Sequence, residues 1–153
     1  MVHATRTFVP LMIRQGCGHI VNTSSVGGLL VGPWIAPYTV TKHGVTVLSE
    51  ALYLELQAAR HPVKVSVLCP GPVNTGIARD LKADPASAAG QLAGALQHML
   101  VEHGMSPAEL ARFALDGVAA GRFWLLPHPD AVKPGVAERA QRIADEEAPR
   151  FHL

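Results

Sequence analysis

The chain has 153 residues, 48% of them hydrophobic and 16% charged, enough for one domain with its own core and too apolar for a disordered chain. Thirteen basic and twelve acidic residues leave a formal net charge of +1, with no basic run and no interleaved aromatics, so neither a nucleic-acid nor a membrane partner is expected. Two cysteines, Cys17 and Cys69, make neither a disulfide framework nor a metal-type spacing; each is expected as a small buried or half-buried side chain, in keeping with a cytoplasmic location.

Residues 2–15 carry Phe8, Val9, Met12 and Ile13 at helical spacing and stop before Gly16. The start, Met1 to Arg6, lacks the basic segment and unbroken apolar run of a secretory signal. Residues 18–23 read as a strand leaving a glycine turn. Residues 24–34 are a loop punctuated by Gly27, Gly28, Gly32 and Pro33. Residues 20–41 contain no charge and have the length of a bilayer span. Asn22, Ser24, Ser25 and the glycines and prolines would carry polar groups and helix breaks into lipid, so a soluble fold is expected instead. A long helix is expected over 36–60, stopped by His61-Pro62. It is apolar nearly all round (Val40, Val45, Val47, Leu48, Leu52, Leu54, Leu56) and should be buried on more than one side.

Residues 63–68 form a β-branched strand closed by Pro70-Gly71-Pro72. A mobile loop is expected over 80–90, and the Ala- and Leu-rich stretch at 85–103 favours helix. Ser106-Pro107-Ala108-Glu109 is a helix start, with a capping hydroxyl, proline in the first turn and glutamate three residues on. That helix should end at Gly121. A third strand follows at 122–126, then a charged amphipathic helix at 134–147. Strands alternating with helices imply an α/β fold with parallel strands and crossover helices. None of the eight histidines has metal-ligand spacing, so no metal site is expected.

Three local patterns carry chemistry. Tyr38 and Lys42 stand four apart at a helix start, on one face. An ammonium beside a phenol favours the phenolate, which suits Tyr38 to proton transfer near neutral pH. Ser25 ends the first strand, where open α/β sheets bind ligands, thirteen residues before Tyr38. Cys69-Pro70-Gly71-Pro72-Val73-Asn74-Thr75 closes the next strand.

Together these residues resemble the short-chain dehydrogenases/reductases. The resemblance runs from Met1 to the last helix and is most specific over residues 18–75. It implies a Rossmann-like doubly wound parallel sheet. It also implies hydride transfer between NAD or NADP and an alcohol or carbonyl substrate, with Ser25, Tyr38 and Lys42 catalytic. Tyr38 and Lys42, with Pro70, Gly71, Val73 and Thr75, would hold the cofactor. Trp34, His98 and Met99 are candidates for the substrate pocket. The helix at 36–60 corresponds to one that packs against its twin in the family, which implies a homo-oligomer.

The sequence also departs from that family. No Gly-x-x-x-Gly-x-Gly turn follows an initial strand, and the Asn-Ala-Gly segment has no counterpart. The residue that would choose NAD or NADP is not in the chain. Residues 1–153 are therefore expected to be the C-terminal part of the domain, about three strands with flanking helices, and the strand at 18–23 should have a bare edge. The alternative expectation is a truncated, inactive remnant that acts only as an oligomerisation partner.

Overall fold

Val63, Val65 and Val67 alternate along one short segment, and that segment becomes the centre of the fold. In a computed structural model, which describes residues 1–78 and 84–151, it is strand β2 (Val63–Leu68). Strand β1 (Gly18–Thr23) pairs with it in parallel along its whole length, from Gly18↔Val63 to Thr23↔Leu68. Strand β3 (Trp124–Leu125) pairs in parallel on the other side, through Val67↔Trp124 and Leu68↔Leu125. The order is β1-β2-β3, a three-stranded α/β Rossmann-like sheet. Among the described residues nothing pairs with the outer edge of β1.

Helices α1 (Val2–Gln15) and α2 (Ala36–Ala58) share one face of the sheet. Val9 of α1, Leu52 and Leu56 of α2, and Val63 and Val65 of β2 make the core cluster, with Met12, Ile13 and Ile20 packed against it. Phe8 is exposed instead, on the outer side of α1. Gly16 ends α1 with φ 78°, a left-handed cap that glycine adopts without penalty. Further along lie α3 (Ala88–His103), α4 (Pro107–Ala119) and α5 (Pro129–Ala144). The start of α4 is a full capping box: Ser106 Oγ accepts from Glu109 N at 3.2 Å, and Glu109 Oε2 accepts from Ser106 N at 2.9 Å.

Several expectations shift. Helix α5 starts at Pro129, five residues early, because Pro129 already fills the first-turn position where no N–H is needed. Pro134 lies inside the helix. Beyond Ala144 the chain turns back: Arg142 pairs with Glu147 at 2.7 Å, and its Nε donates to Ala148 O at 2.7 Å. Residues 80–83 of the expected mobile loop lie outside the described residues, and its far end, from Ala88, is helical. Helix α2 buries one side only, through Thr39, Thr46, Ser49, Leu52 and Leu56. Val40, Val47 and Leu54 are 71%, 60% and 64% exposed. Cys17 is exposed rather than buried, in the turn between α1 and β1. No helix among the described residues is long and apolar enough to cross a membrane.

On the sheet face opposite α1 and α2, one polar chain ties the three strand segments together. Ser66 Oγ donates its only hydrogen to Arg122 O at 2.6 Å, so His19 Nε2, 2.7 Å away, must donate to Ser66. Burial, and then the Lys64 ammonium, hold His19 below its ordinary pKa of 6.5. The folded ring stays neutral where the unfolded one takes a proton. Its contribution to stability is therefore complete above about pH 6.5 and is lost as pH falls through the lower folded value. Denaturant midpoints measured from about pH 7.5 down to about pH 5 should fall more steeply for the wild type than for His19→Gln, which does not titrate there. Equal slopes would remove His19 from the account.

Candidate active site

The carboxyl ends of β1 and β2 lie side by side, and the chain leaves each of them into a short loop. Ser24 N donates to Leu68 O at 2.7 Å, extending the pairing by one residue, and Val26 N donates to Pro70 O at 2.9 Å. Between these two bonds Ser25 is extended, with φ −170° and ψ 167°. Its Oγ accepts from Gly27 N at 3.1 Å and so starts a 3-10 turn over Val26–Gly28. The Ser25 hydroxyl hydrogen is left to donate elsewhere.

Helix α2 brings Tyr38 and Lys42 to the same place. Pro37 sits in its first turn. Lys42 Nζ is 5.7 Å from the Tyr38 ring centroid and donates to Thr23 O, the last carbonyl of β1, at 3.2 Å. Two further N–H groups of that ammonium remain to donate. Gly27 packs under the tyrosine: a methyl group placed there would be 3.0 Å from Tyr38 Cε1 and 3.7 Å from Ser25 Oγ. Ser25 and Tyr38 thus meet at one glycine, with the Lys42 ammonium beside the Tyr38 ring.

Behind them is a buried hydroxyl cluster. Ser24 Oγ donates to Lys42 O at 2.9 Å and lies 2.8 Å from Thr46 Oγ1, which is itself 3.2 Å from Lys42 O. Gly28 fits against all three. A methyl group there would fall 2.2 Å from Ser24 Oγ, 2.7 Å from Lys42 O and 2.8 Å from Thr46 Oγ1, so no other residue can take this position without backbone movement. Deeper in, Asn22 Nδ2 donates to Ser49 Oγ at 3.0 Å, and Ser49 Oγ donates to Val45 O at 2.7 Å. Cys69 is fully buried beside Ser24 and Thr46, and burial pushes its thiol up to about 11 against the pull of hydrogen bonds from its neighbours.

Pro70 and Gly71 flank Val26 and are half-buried. Val73 turns inward, buried, and bridges to Met105 in parallel. Thr75 is exposed, and its Oγ1 accepts from Ile77 N at 3.4 Å. Among the described residues no three histidine, cysteine or acidic side chains converge as a metal site. A cavity of about 810 Å³ opens between the loop at 26–35 and α5. Val26, Leu30, Ile35 and Phe151 wall it, with Arg139 and Arg150 at the polar end. Trp34, His98 and Met99 do not line it: all three are exposed, Trp34 at 72%.

Ser24, Gly28 and Thr46 escaped the sequence analysis as individuals. Their signals were present, in a serine pair, a glycine pair and a threonine four residues after Lys42. What no pattern showed was that they meet.

A family model described as short chain dehydrogenase matches residues 1–86. The chain is 37% identical over 122 residues, 80% of its length, to SadH of Mycobacterium tuberculosis, a protein named as an oxidoreductase, and covers 44% of it. It is 31% identical over 156 residues to the C alpha-dehydrogenase of a Sphingobium species, covering 97% of this chain and 50% of that one. The crystal structure of a short chain dehydrogenase/reductase from Burkholderia phymatum in complex with NAD superposes with a TM-score of 0.90 at 33% identity, over 99% of this chain and 57% of the other. The chain thus spans about half the length of the curated relatives it matches.

The two thiols should separate cleanly. In the folded chain a thiol reagent at about pH 8 should modify Cys17 quickly and Cys69 only after denaturation. Rapid modification of both thiols without denaturant would contradict the sealed position of Cys69.

Proposed function

Because the chain belongs to the short-chain dehydrogenase family, we propose that it supplies the catalytic half of an oxidoreductase that moves a hydride between NAD or NADP and an alcohol or carbonyl. The observation that carries this reading is the convergence of Ser25, Tyr38 and Lys42 at the carboxyl ends of parallel strands. Two separate segments of sequence contribute, Ser25 from the end of β1 and Tyr38 with Lys42 from the start of α2, both on the side where an open α/β sheet receives ligands.

The roles follow from the groups. The Tyr38 hydroxyl gives its proton to the carbonyl oxygen in reduction and takes the alcohol proton in oxidation. Lys42, anchored on Thr23 O, sets a positive charge a turn away from the phenol, and its remaining N–H groups would bind the nicotinamide ribose. Ser25 donates its free hydroxyl hydrogen to the substrate oxygen and shares the charge that forms there. Pro70, Gly71, Val73 and Thr75 shape the edge that receives the carboxamide. The hydride itself is the chemistry a bound nicotinamide cofactor supplies.

The residues present fit the nicotinamide end of that cofactor. The Pro70–Gly71 loop is tied directly to Val26, one residue from Ser25, and would hold a nicotinamide on the same side of the sheet as the serine. The phosphates have no glycine-rich turn before a helix among these residues to receive them. The cavity lined in part by Gly27, the residue packed under Tyr38, would give the substrate a largely apolar space on the far side of that glycine from the tyrosine. The exposed stripe of Val40, Val47 and Leu54 along α2 supports a homo-oligomer formed through that helix.

Titrating the chain with NADH and with NADPH, followed by fluorescence, tests the cofactor directly. Saturable binding is expected, and a folded chain that binds neither would rule the assignment out for these residues. Where turnover is measurable, Tyr38→Phe should lower it by at least about a hundredfold while leaving cofactor affinity within about twofold, the pattern of a lost proton donor. Substantial residual turnover would remove Tyr38 from its role. Val47→Glu should reduce the sedimenting mass of the assembly to that of one chain; an unchanged mass would place the interface elsewhere.

A further inference from the structure

The segment Cys69-Pro70-Gly71-Pro72 is poor in hydrogen-bond donors. Neither proline has an N–H, and Cys69 N is already committed to Leu125 O at 2.9 Å. Gly71 N is therefore the only backbone donor between β2 and Val73 that remains to be satisfied. It donates to His128 Nδ1 at 3.2 Å, across 57 residues of sequence.

His128 is placed for this and for nothing local. It is the residue before the first turn of α5, a position whose side chain ordinarily caps the helix. Yet it makes no capping hydrogen bond, and Pro129 follows it. The ring instead lies against Gly71: a methyl group there would come 3.1 Å from Nδ1 and 3.3 Å from Cγ. Glycine is what allows the imidazole to approach this closely. Because Nδ1 accepts, it carries no hydrogen, and the neutral ring holds its proton on Nε2.

The two prolines of the segment are tied as well. Pro70 O accepts from Val26 N at 2.9 Å, and Pro72 O from Met105 N at 3.1 Å. Both use carbonyls. The bond to His128 alone restrains the Gly71 peptide through its N–H, and it couples the loop to the start of α5, which walls the substrate cavity.

We infer that His128 is a positioning residue, whose Nδ1 fixes the Gly71 peptide and so sets the surface on which the nicotinamide carboxamide rests. This rests on the assignment of residues 70–75 to the nicotinamide. His128 touches neither cofactor nor substrate and acts through Gly71.

Two variants separate the acceptor from the ring. His128→Asn keeps an acceptor oxygen near the place of Nδ1, and His128→Phe keeps a flat ring without one; His128→Leu serves if the phenyl ring prevents folding. Amide hydrogen exchange read residue by residue should show Gly71 exchanging roughly tenfold faster in the Phe or Leu variant, the scale of one net hydrogen bond. The Asn variant should restore the rate, with Val67 and Cys69 unchanged in all. In parallel, the affinity of the chain for reduced nicotinamide mononucleotide, a probe that needs no pyrophosphate cradle, should fall in the Phe or Leu variant and recover in the Asn variant. Unchanged Gly71 exchange without the acceptor, or identical behaviour of Asn and Phe, overturns the inference. So does wild-type affinity for the mononucleotide in the Phe variant. If the wild type binds no mononucleotide while Gly71 responds as expected, the tether stands and the assignment of the loop to the nicotinamide fails.

Discussion

The bond from Ser24 Oγ to the carbonyl of Lys42 joins the end of a strand to the second turn of a helix, and the active-site arrangement depends on it. Ser25 follows Ser24 directly, and Tyr38 stands one turn before Lys42. Fixing Ser24 to Lys42 O therefore fixes the spacing of all three proposed catalytic groups. Gly28 lets the loop come close enough for this bond to form, and Thr46 fills the remaining hydrogen-bonding capacity around it. Buried hydroxyls are expensive when unpaired and strongly directional when paired. Here the pairing turns a strand end into a rigid mount for the helix that follows.

What could be read from the sequence was what depends on neighbours in the chain. The capping box at Ser106–Glu109, the alternation of Val63, Val65 and Val67, and the Tyr38–Lys42 spacing are all local, and each appears in the structure where the sequence places it. The misses involve distant partners. Strand β3 is shorter than its apolar run because only Trp124 and Leu125 reach a pairing position against β2. Cys17 is exposed because its turn projects away from the core, which no two-residue context reveals. The contact between His128 and Gly71 is a property of two loops brought together by the sheet. A histidine before a proline-started helix gives no hint of it.

Helix α2 shows the limit of reading burial from hydropathy. From Thr39 to Ser49 the buried side carries Thr39, Thr46 and Ser49, and the exposed side carries Val40 and Val47. The inner hydroxyls are tolerated because helix carbonyls and the polar end of β1 lie within reach. On α2, Thr39 Oγ1 and His43 Nε2 are the exceptions, buried with no hydrogen-bond partner. Apolar residues all round the helix predict cover on both sides. The fold of the single chain covers the polar side, which carries the buried hydroxyls, and leaves the aliphatic side open.

At Trp34 the backbone works against its own side chain. Its φ of 62° lies in the left-handed region, where an L-residue with a bulky ring is disfavoured by about 1–2 kcal/mol and glycine or asparagine sits easily. The indole recovers little of this by burial, being largely open to solvent. Random mutation followed by selection for stability alone would thus move this position toward glycine. The loop just ahead of Tyr38 therefore carries a strain that packing among the described residues does not offset.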